Sequence, residues 1–173
     1  MIHIGIVNPK DVTNVGSVLR AIGCFQADGL FYTGTRYDRA MRYCTDTQRA
    51  AANVPVQNVE DILAVVPEGA TLVCVELVVG ATPLPEFEHP ENAFYIFGPE
   101  DGSVPQAIVD AADSVVYVPT VGCMNLAASV NVLLYDRTSK LGLPIYAGDQ
   151  DDLIRNSRDN RNRLRLKSFN TKI

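Results

Sequence analysis

The chain has 173 residues, 47% hydrophobic and 20% charged, with a formal net charge of −5. This length predicts one domain of roughly 150 residues with a tail, and the composition excludes disorder along most of it. No apolar run approaches the ~20 residues that cross a bilayer. Met1 leads directly into Ile2-His3-Ile4-Gly5-Ile6-Val7 without the basic start or cleavage site of a secretory signal. A cytoplasmic protein with no membrane partner is expected.

The elements predicted in chain order alternate strand and helix. Residues 2–7 read as a buried strand closed by Asn8-Pro9, and Asn14 as the cap of a helix reaching Phe25, with Val15, Val18, Leu19, Ile22 and Phe25 on its apolar side. Residues 29–33 form a second short strand. Residues 36–53 are polar and Arg-rich with a weak helical pattern over 41–52, followed by a short helix over 59–66. Residues 70–79 form a strongly apolar strand, and Pro83, Pro85 and Pro90 mark a loop. Then come a strand over 93–97, a turn over 98–102, and a short helix capped by Ser103 with Pro105 in its first turn. A strand over 115–118 leads through a loop to a long helix over 125–141, stopped by Gly142 and Pro144. Short Val- and Ile-rich runs separated by helices predict an α/β fold with a parallel sheet covered on both faces. The expected division is residues 1–148 as one domain and 149–173 as a basic tail.

Charge supports that division. Residues 153–173 carry seven basic side chains against one acid, Asp159, leaving 8 basic and 19 acidic residues on the first 152. So one-sided a block suits contact with a polyanion or a solvated terminal segment; its irregular apolar spacing predicts an arm, partly disordered alone, that gains order on contact with a polyanion. Cys24, Cys44, Cys74 and Cys123 stand singly and only His3 and His89 are histidines, so neither a zinc site nor a disulfide scaffold is supported. Reduced thiols and no metal are expected.

In an open parallel sheet, ligands bind beyond the carboxyl ends of the strands. Three such ends carry unusual residues, and none of them is a dinucleotide fingerprint or a phosphate loop. Taken singly each has a plain reading: Asn14 and Asn125 as helix caps, Arg20 as a solvated side chain, residues 98–102 as a tight turn. Together and in this order they resemble the SpoU branch of the SPOUT RNA methyltransferases, also called the TrmH family. The pattern N-x-G-x-x-x-R is matched by Asn14-Val-Gly16-Ser-Val-Leu-Arg20. The pattern G-P-E-x-x-G-x-P is matched by Gly98-Pro99-Glu100-Asp-Gly102-Ser-Val-Pro105, and the third motif by Val118-Pro119-Thr-Val-Gly-Cys123-Met124-Asn125-Leu126.

The resemblance covers roughly residues 2–142 and implies a homodimer with a Rossmann-like parallel sheet and a C-terminal deep trefoil knot, a feature that propensity alone could not predict. It implies S-adenosyl-L-methionine as cofactor, held by Glu76, Leu77 and Gly80, by Phe97, Gly98 and Gly102, and by Val118, Cys123, Met124 and Leu126. It implies methylation of a ribose 2′-hydroxyl in RNA, tRNA being favoured over rRNA. Arg20 is the implied catalytic group; because Arg keeps its proton, stabilising a developing alkoxide or holding the adjacent phosphate is preferred to a role as base. Asn14 would orient Arg20 or its loop, Glu100 would hold Arg20 or the Asn125 loop, and Asn125 would present its amide to the ribose. The family usually has Ser where this chain has Cys123, which removes the case for catalysis by that side chain and leaves it as a small residue lining a tight loop. The alternative is a knotted RNA-binding protein with weak or no catalysis. The presence of Arg20, Glu100 and Asn125 together favours the enzyme.

Overall fold

A computed structural model describes residues 1–42, 54–142 and 148–157. Seven strands form one sheet in the order β3-β2-β1-β6-β4-β7-β5, and every recorded pairing is parallel. They are β1 (Ile2–Ile6), β2 (Gly29–Tyr32), β3 (Val56–Asn58), β4 (Thr71–Val75), β5 (Thr82–Pro83), β6 (Ala93–Phe97) and β7 (Ser114–Tyr117). The fold is therefore Rossmann-like α/β. The central strands β1, β6 and β4 read as nearly unbroken apolar runs because both sheet faces are covered. Alternation then sorts the side chains. Val73, Val75, Tyr95 and Phe97 enter a core with Val15, Val18 and Ile22 of α1 (Val12–Phe25) and Val130, Leu133 and Leu134 of α4 (Leu126–Leu141). Leu72, Cys74, Phe94 and Ile96 enter a second core with Ile62, Val104 and Ile108, the last from α3 (Gln106–Ala111). Burying each such large side chain contributes about 1.5–3 kcal/mol.

Several local expectations change. The N-cap of α1 is Asp11, whose Oδ1 accepts from the amides of Thr13 and Asn14 at 2.7 and 3.3 Å. Asn14 therefore lies within the first turn, and its side chain is released for other contacts. A strand, β3, precedes residue 59, and the expected helix over 59–66 shrinks to a 3-10 turn, Leu63–Val65. The apolar run over 70–79 leaves the sheet after Val75, where Leu77 and Val79 become exposed in a turn. Pro83 joins the sheet through β5, at its edge, where a missing amide donor costs little. The short helix after Ser103 begins at Gln106 with Pro105 at its N-cap. The α2 helix covers Arg36–Met41, and the helical pattern expected over 41–52 lies mostly outside the described residues.

Helix α4 is fastened to the segment before β6 by a buried polar network. His89 Nδ1 lies 2.7 Å from the Tyr95 hydroxyl and its Nε2 2.9 Å from Asp136 Oδ2. Arg137 donates to the carbonyls of Pro90 and Glu91 and to the Tyr95 hydroxyl, and Lys140 to the carbonyls of Leu84 and Phe87. Single residues scattered over 84–95 and one helix turn carry no sequence pattern that would announce this network.

Residues 1–141 form one compact unit and residues 142–173 a second. The described part of the second contains α5 (Gln150–Ser157), which buries no side chain and pairs Arg155 with Asp151 and Asp152. The start of the expected arm is thus helical, and its remainder, 158–173, lies outside the described residues. Among the described residues no helix is long and apolar enough to cross a membrane.

Candidate active site

Parallel strands bring the loops after β1, β2, β4, β6 and β7 to one edge of the sheet. A cavity of about 290 Å³ opens there between β4, β6 and β7 and the start of α4. Glu76, Leu77, Phe97, Gly98, Gly102, Val118, Cys123, Met124 and Leu126 line it. Gly80 is exposed in the turn beyond Val79, with φ +92°, and is not among the lining residues. Val75 and Tyr117, the last residues of β4 and β7, also line the cavity, as does Ser129. Ser129 could have been found by helical spacing, since it follows Asn125 by one turn and donates its hydroxyl to the Asn125 carbonyl at 3.1 Å.

Apolar side chains wall the cavity, and two carboxylates, Glu76 and Glu100, stand on its lining. Glu76 accepts from its neighbour Leu77 N–H at 2.9 Å through Oε1 and from Val104 N–H at 3.1 Å through Oε2. Gly98 runs beside it so closely that a Cβ there would lie 3.1 Å from Glu76 Oε2 and 3.3 Å from Val104 N. A larger residue at Gly98 would press directly on the carboxylate.

At the cavity three predicted residues from distant parts of the chain meet, Glu100 and Asn125 lining it and Asn14 joining them. Asn125 donates from Nδ2 to Asn14 Oδ1 at 2.7 Å, and Asn14 donates from Nδ2 to Glu100 Oε1 at 3.3 Å. Asn125 Oδ1 meanwhile caps α4, accepting from the amides of Ala127 and Ala128 at 2.9 and 3.2 Å. The helix cap and the contact with Asn14 therefore coexist in one side chain. Glu100 also accepts from the amides of Lys10 (Oε2) and Asp11 (Oε1), both at 3.1 Å, so it braces the start of α1. The amino ends of α1 and α4 converge here, and both favour negative charge. Glu100 satisfies the first; Asn125 covers the second without adding charge.

The loop carrying Lys10 is set by a tight approach to the loop after β2. Asn8 has φ +45° and donates its N–H to Thr33 Oγ1 at 3.1 Å, and Gly34 has φ +79°. A Cβ on Gly34 would stand 2.3 Å from Asn8 Oδ1, so glycine is needed both for conformation and for space. Next to Glu100, Asp101 receives Lys10 Nζ at 3.0 Å and Arg36 Nη2 at 2.9 Å, and these two cations hold its carboxyl below the usual carboxylate range.

Arg20 is exposed on α1, and among the described residues no hydrogen bond or ion pair joins it to Asn14, Glu100 or any other group. The structure thus assembles Asn14, Glu100 and Asn125 and leaves Arg20 outside their network. Cys123 is an exposed free thiol at the cavity mouth. Among the described residues no group of three His, Cys, Asp or Glu side chains could hold a metal ion.

A doubly covered parallel sheet with its cavity at the carboxyl ends of the central strands belongs to the Rossmann-like α/β class, in which such cavities take small ligands. More narrowly, the chain belongs to the SpoU rRNA methylase family, whose family model matches residues 1–135. No curated protein matches its sequence. Its fold is similar to that of an AdoMet-bound rRNA methyltransferase from Sinorhizobium meliloti, at 17% identity and TM-score 0.69, covering 81% of this chain and 56% of that one. It is likewise similar to the TrmH/SpoU tRNA modifying enzyme of A. aeolicus, at 18% identity and TM-score 0.70, covering 89% and 84%. A third similar structure concerns 2-OH methylation of C/U34 on tRNA, at 22% identity and TM-score 0.64, covering 82% and 97%. The chain thus spans little more than half of the first of these proteins and most of the other two.

Proposed function

We propose that this chain is a cytoplasmic RNA methyltransferase that uses S-adenosyl-L-methionine to methylate a ribose 2′-hydroxyl, in tRNA rather than rRNA, as a knotted homodimer. The observation that carries the reading is the Asn125–Asn14–Glu100 relay, two of whose members, Glu100 and Asn125, line the small cavity. The 2-OH chemistry and the tRNA substrate of one similar protein support the finer reading, and the AdoMet bound to another supports the cofactor.

The cavity residues suit that cofactor. Phe97, Val118, Met124 and Leu126 offer apolar walls for a flat heterocycle, and the Glu76 carboxylate offers an acceptor for hydroxyl or ammonium groups. Bound there, the cofactor supplies a methyl group already activated by its sulfonium. The protein's task is to position the ribose hydroxyl and stabilise the charge that develops on it. Asn125, locked by the helix it caps and by Asn14, is held ready to orient the ribose. Glu100 keeps Asn14 and the start of α1 in register with that amide. Arg20, exposed and without a partner among the described residues, is available to the site of a second subunit, where its fixed charge would face the developing alkoxide.

Support for the knot comes from the long connection over 76–92, which leaves β4 and returns to β6, and from α4, whose Arg137 and Lys140 grip carbonyls along that connection. Support for the dimer comes from Val132 and Tyr135, which remain 37% and 59% exposed on α4.

The test is transfer of label from S-adenosylmethionine to bulk tRNA and rRNA in the presence of a chelator, followed by mapping of the modified nucleotide. Label in a ribose 2′-O-methyl group of tRNA is expected. Arg20→Ala should lose most turnover while keeping cofactor affinity, because its contact is made with the reacting oxygen. Binding of RNA and cofactor without any transfer would replace this reading with that of a non-catalytic RNA-binding protein.

A further inference from the structure

The Lys10–Asp101–Arg36 cluster is not accounted for by stability. Its side chains are 47%, 46% and 31% exposed in that order, and exposed ion pairs contribute about 0–1 kcal/mol. Its placement is more informative. Asp101 follows Glu100 directly, and the Lys10 amide donates to Glu100 while the Lys10 ammonium reaches Asp101. The two cations therefore stand one residue from the Asn14–Glu100–Asn125 relay. Charge in the first unit is also lopsided among the described residues. Arg137 and Lys140 are tied to carbonyls and to Asp136, so the outward cations are Lys10, Arg20, Arg36, Arg39 and Arg42, all within the first 42 residues.

The geometry of the cluster matches one chemistry. Arg36 Nη2 contacts both oxygens of Asp101 at 2.9 Å, and Lys10 Nζ contacts Oδ2 at 3.0 Å. A carboxylate held this way presents two oxygens sharing one negative charge, as the non-bridging oxygens of a phosphodiester do. Arg and Lys together are the usual partners of such a group. We propose that Lys10 and Arg36 form the seat for a backbone phosphate of the RNA substrate, and that Asp101 is an internal stand-in which occupies this seat until RNA displaces it. The proposal rests on the RNA-methyltransferase reading and adds to it a named phosphate contact and a residue that opposes it. Asp101 then acts as a filter. Loosely bound RNA must compete with a tethered carboxylate, and the phosphate leaves more readily after reaction.

The experiment measures binding of fluorescein-labelled tRNA over a range of salt concentrations for wild type, Asp101→Asn and the double variant Lys10→Gln/Arg36→Gln. Cofactor affinity and thermal midpoint are followed in parallel. Asp101→Asn should bind RNA about two- to fivefold more tightly at low salt, the scale of one exposed charge pair. The double variant should bind more weakly, with a salt slope smaller by roughly two, one for each lost phosphate-contacting cation. Cofactor affinity should be unchanged in both. Unchanged or weaker RNA binding by Asp101→Asn overturns the proposal, as does an unaltered salt slope in the double variant or a change confined to cofactor affinity. Wild type that binds RNA but transfers no methyl group overturns the catalytic reading alone, whereas wild type that binds no RNA overturns both.

Discussion

Cys123 shows how position decides what a thiol can do. It lies exposed at the cavity mouth, Cys24 is exposed on α1, and Cys74 is buried in the second core, where burial pushes its thiol up to about 11. Thiolate is the reactive form, so Cys74 should stay unmodified in the folded protein. In a Cys44→Ser background, S-adenosylmethionine should slow alkylation of Cys123 and leave Cys24 unaffected, read by mass spectrometry of the peptides. Equal rates at Cys123 with and without the cofactor would place the cofactor elsewhere. Sequence alone marked Cys123, Gly98 and Asn125 as members of motifs; it could not show that Asn125 both caps α4 and holds Asn14, because the two stand 111 positions apart and meet only in the fold.

At the scale of elements, α4 is held by a network with a pH signature. Neutral His89 can donate from Nε2 to Asp136 and accept at Nδ1 from the Tyr95 hydroxyl, while Arg137 and Lys140 stand nearby as cations. Burial is the largest influence on its pKa and lowers it from the ordinary 6.5, outweighing the hydrogen bond that His89 donates to Asp136, which raises it. A lowered folded-state pKa means that the unfolded chain takes up the proton first as pH falls. The stabilisation is therefore present above about 6.5 and is lost as pH drops toward the folded value. His3 shifts in the same direction, again mainly by burial, with Asp28 opposing. The thermal midpoint should fall between neutral pH and about pH 5. His89→Gln, which can still donate to Asp136, should flatten part of that fall. An identical slope in the variant would mean that His89 is not its source. Nothing in the spacing of His89, Tyr95 and Asp136 signals this arrangement, since the three come from a loop, a strand and a helix.

For the whole molecule, the expectation is a dimer whose α4 helices contribute Val132 and Tyr135 to the shared surface. Sedimentation should show a dimer at micromolar concentration. Tyr135→Glu should shift it to monomer and lose methyl transfer while keeping helical content. Retained transfer by a true monomer would show that each subunit carries a complete site. Removing residues 153–173 should flatten the salt dependence of RNA binding without touching cofactor affinity, because seven cations leave with one acid. If the truncated protein keeps the full slope, the RNA-facing charge resides in the Lys10–Arg42 region alone.

What the sequence determined by itself was whatever local chemistry dictates. Val- and Ile-rich runs demanded a parallel sheet with both faces covered; Asn125, Gly142 and the apolar spacing between them bounded α4; and three strand-end motifs named the family and most of the cavity lining. What only the tertiary structure decided depended on competition between distant groups. Asp11 displaced Asn14 as the cap of α1 and freed it to join Glu100 and Asn125. The apolar run over 70–79 ended early because Leu77 and Val79 belong to the turn after β4, and hydropathy carries no information about where a chain leaves its sheet. The pairing of Asp101 with Lys10 and Arg36 and the burial of His89 arise from contacts spanning 47 to 91 residues, which no local periodicity encodes.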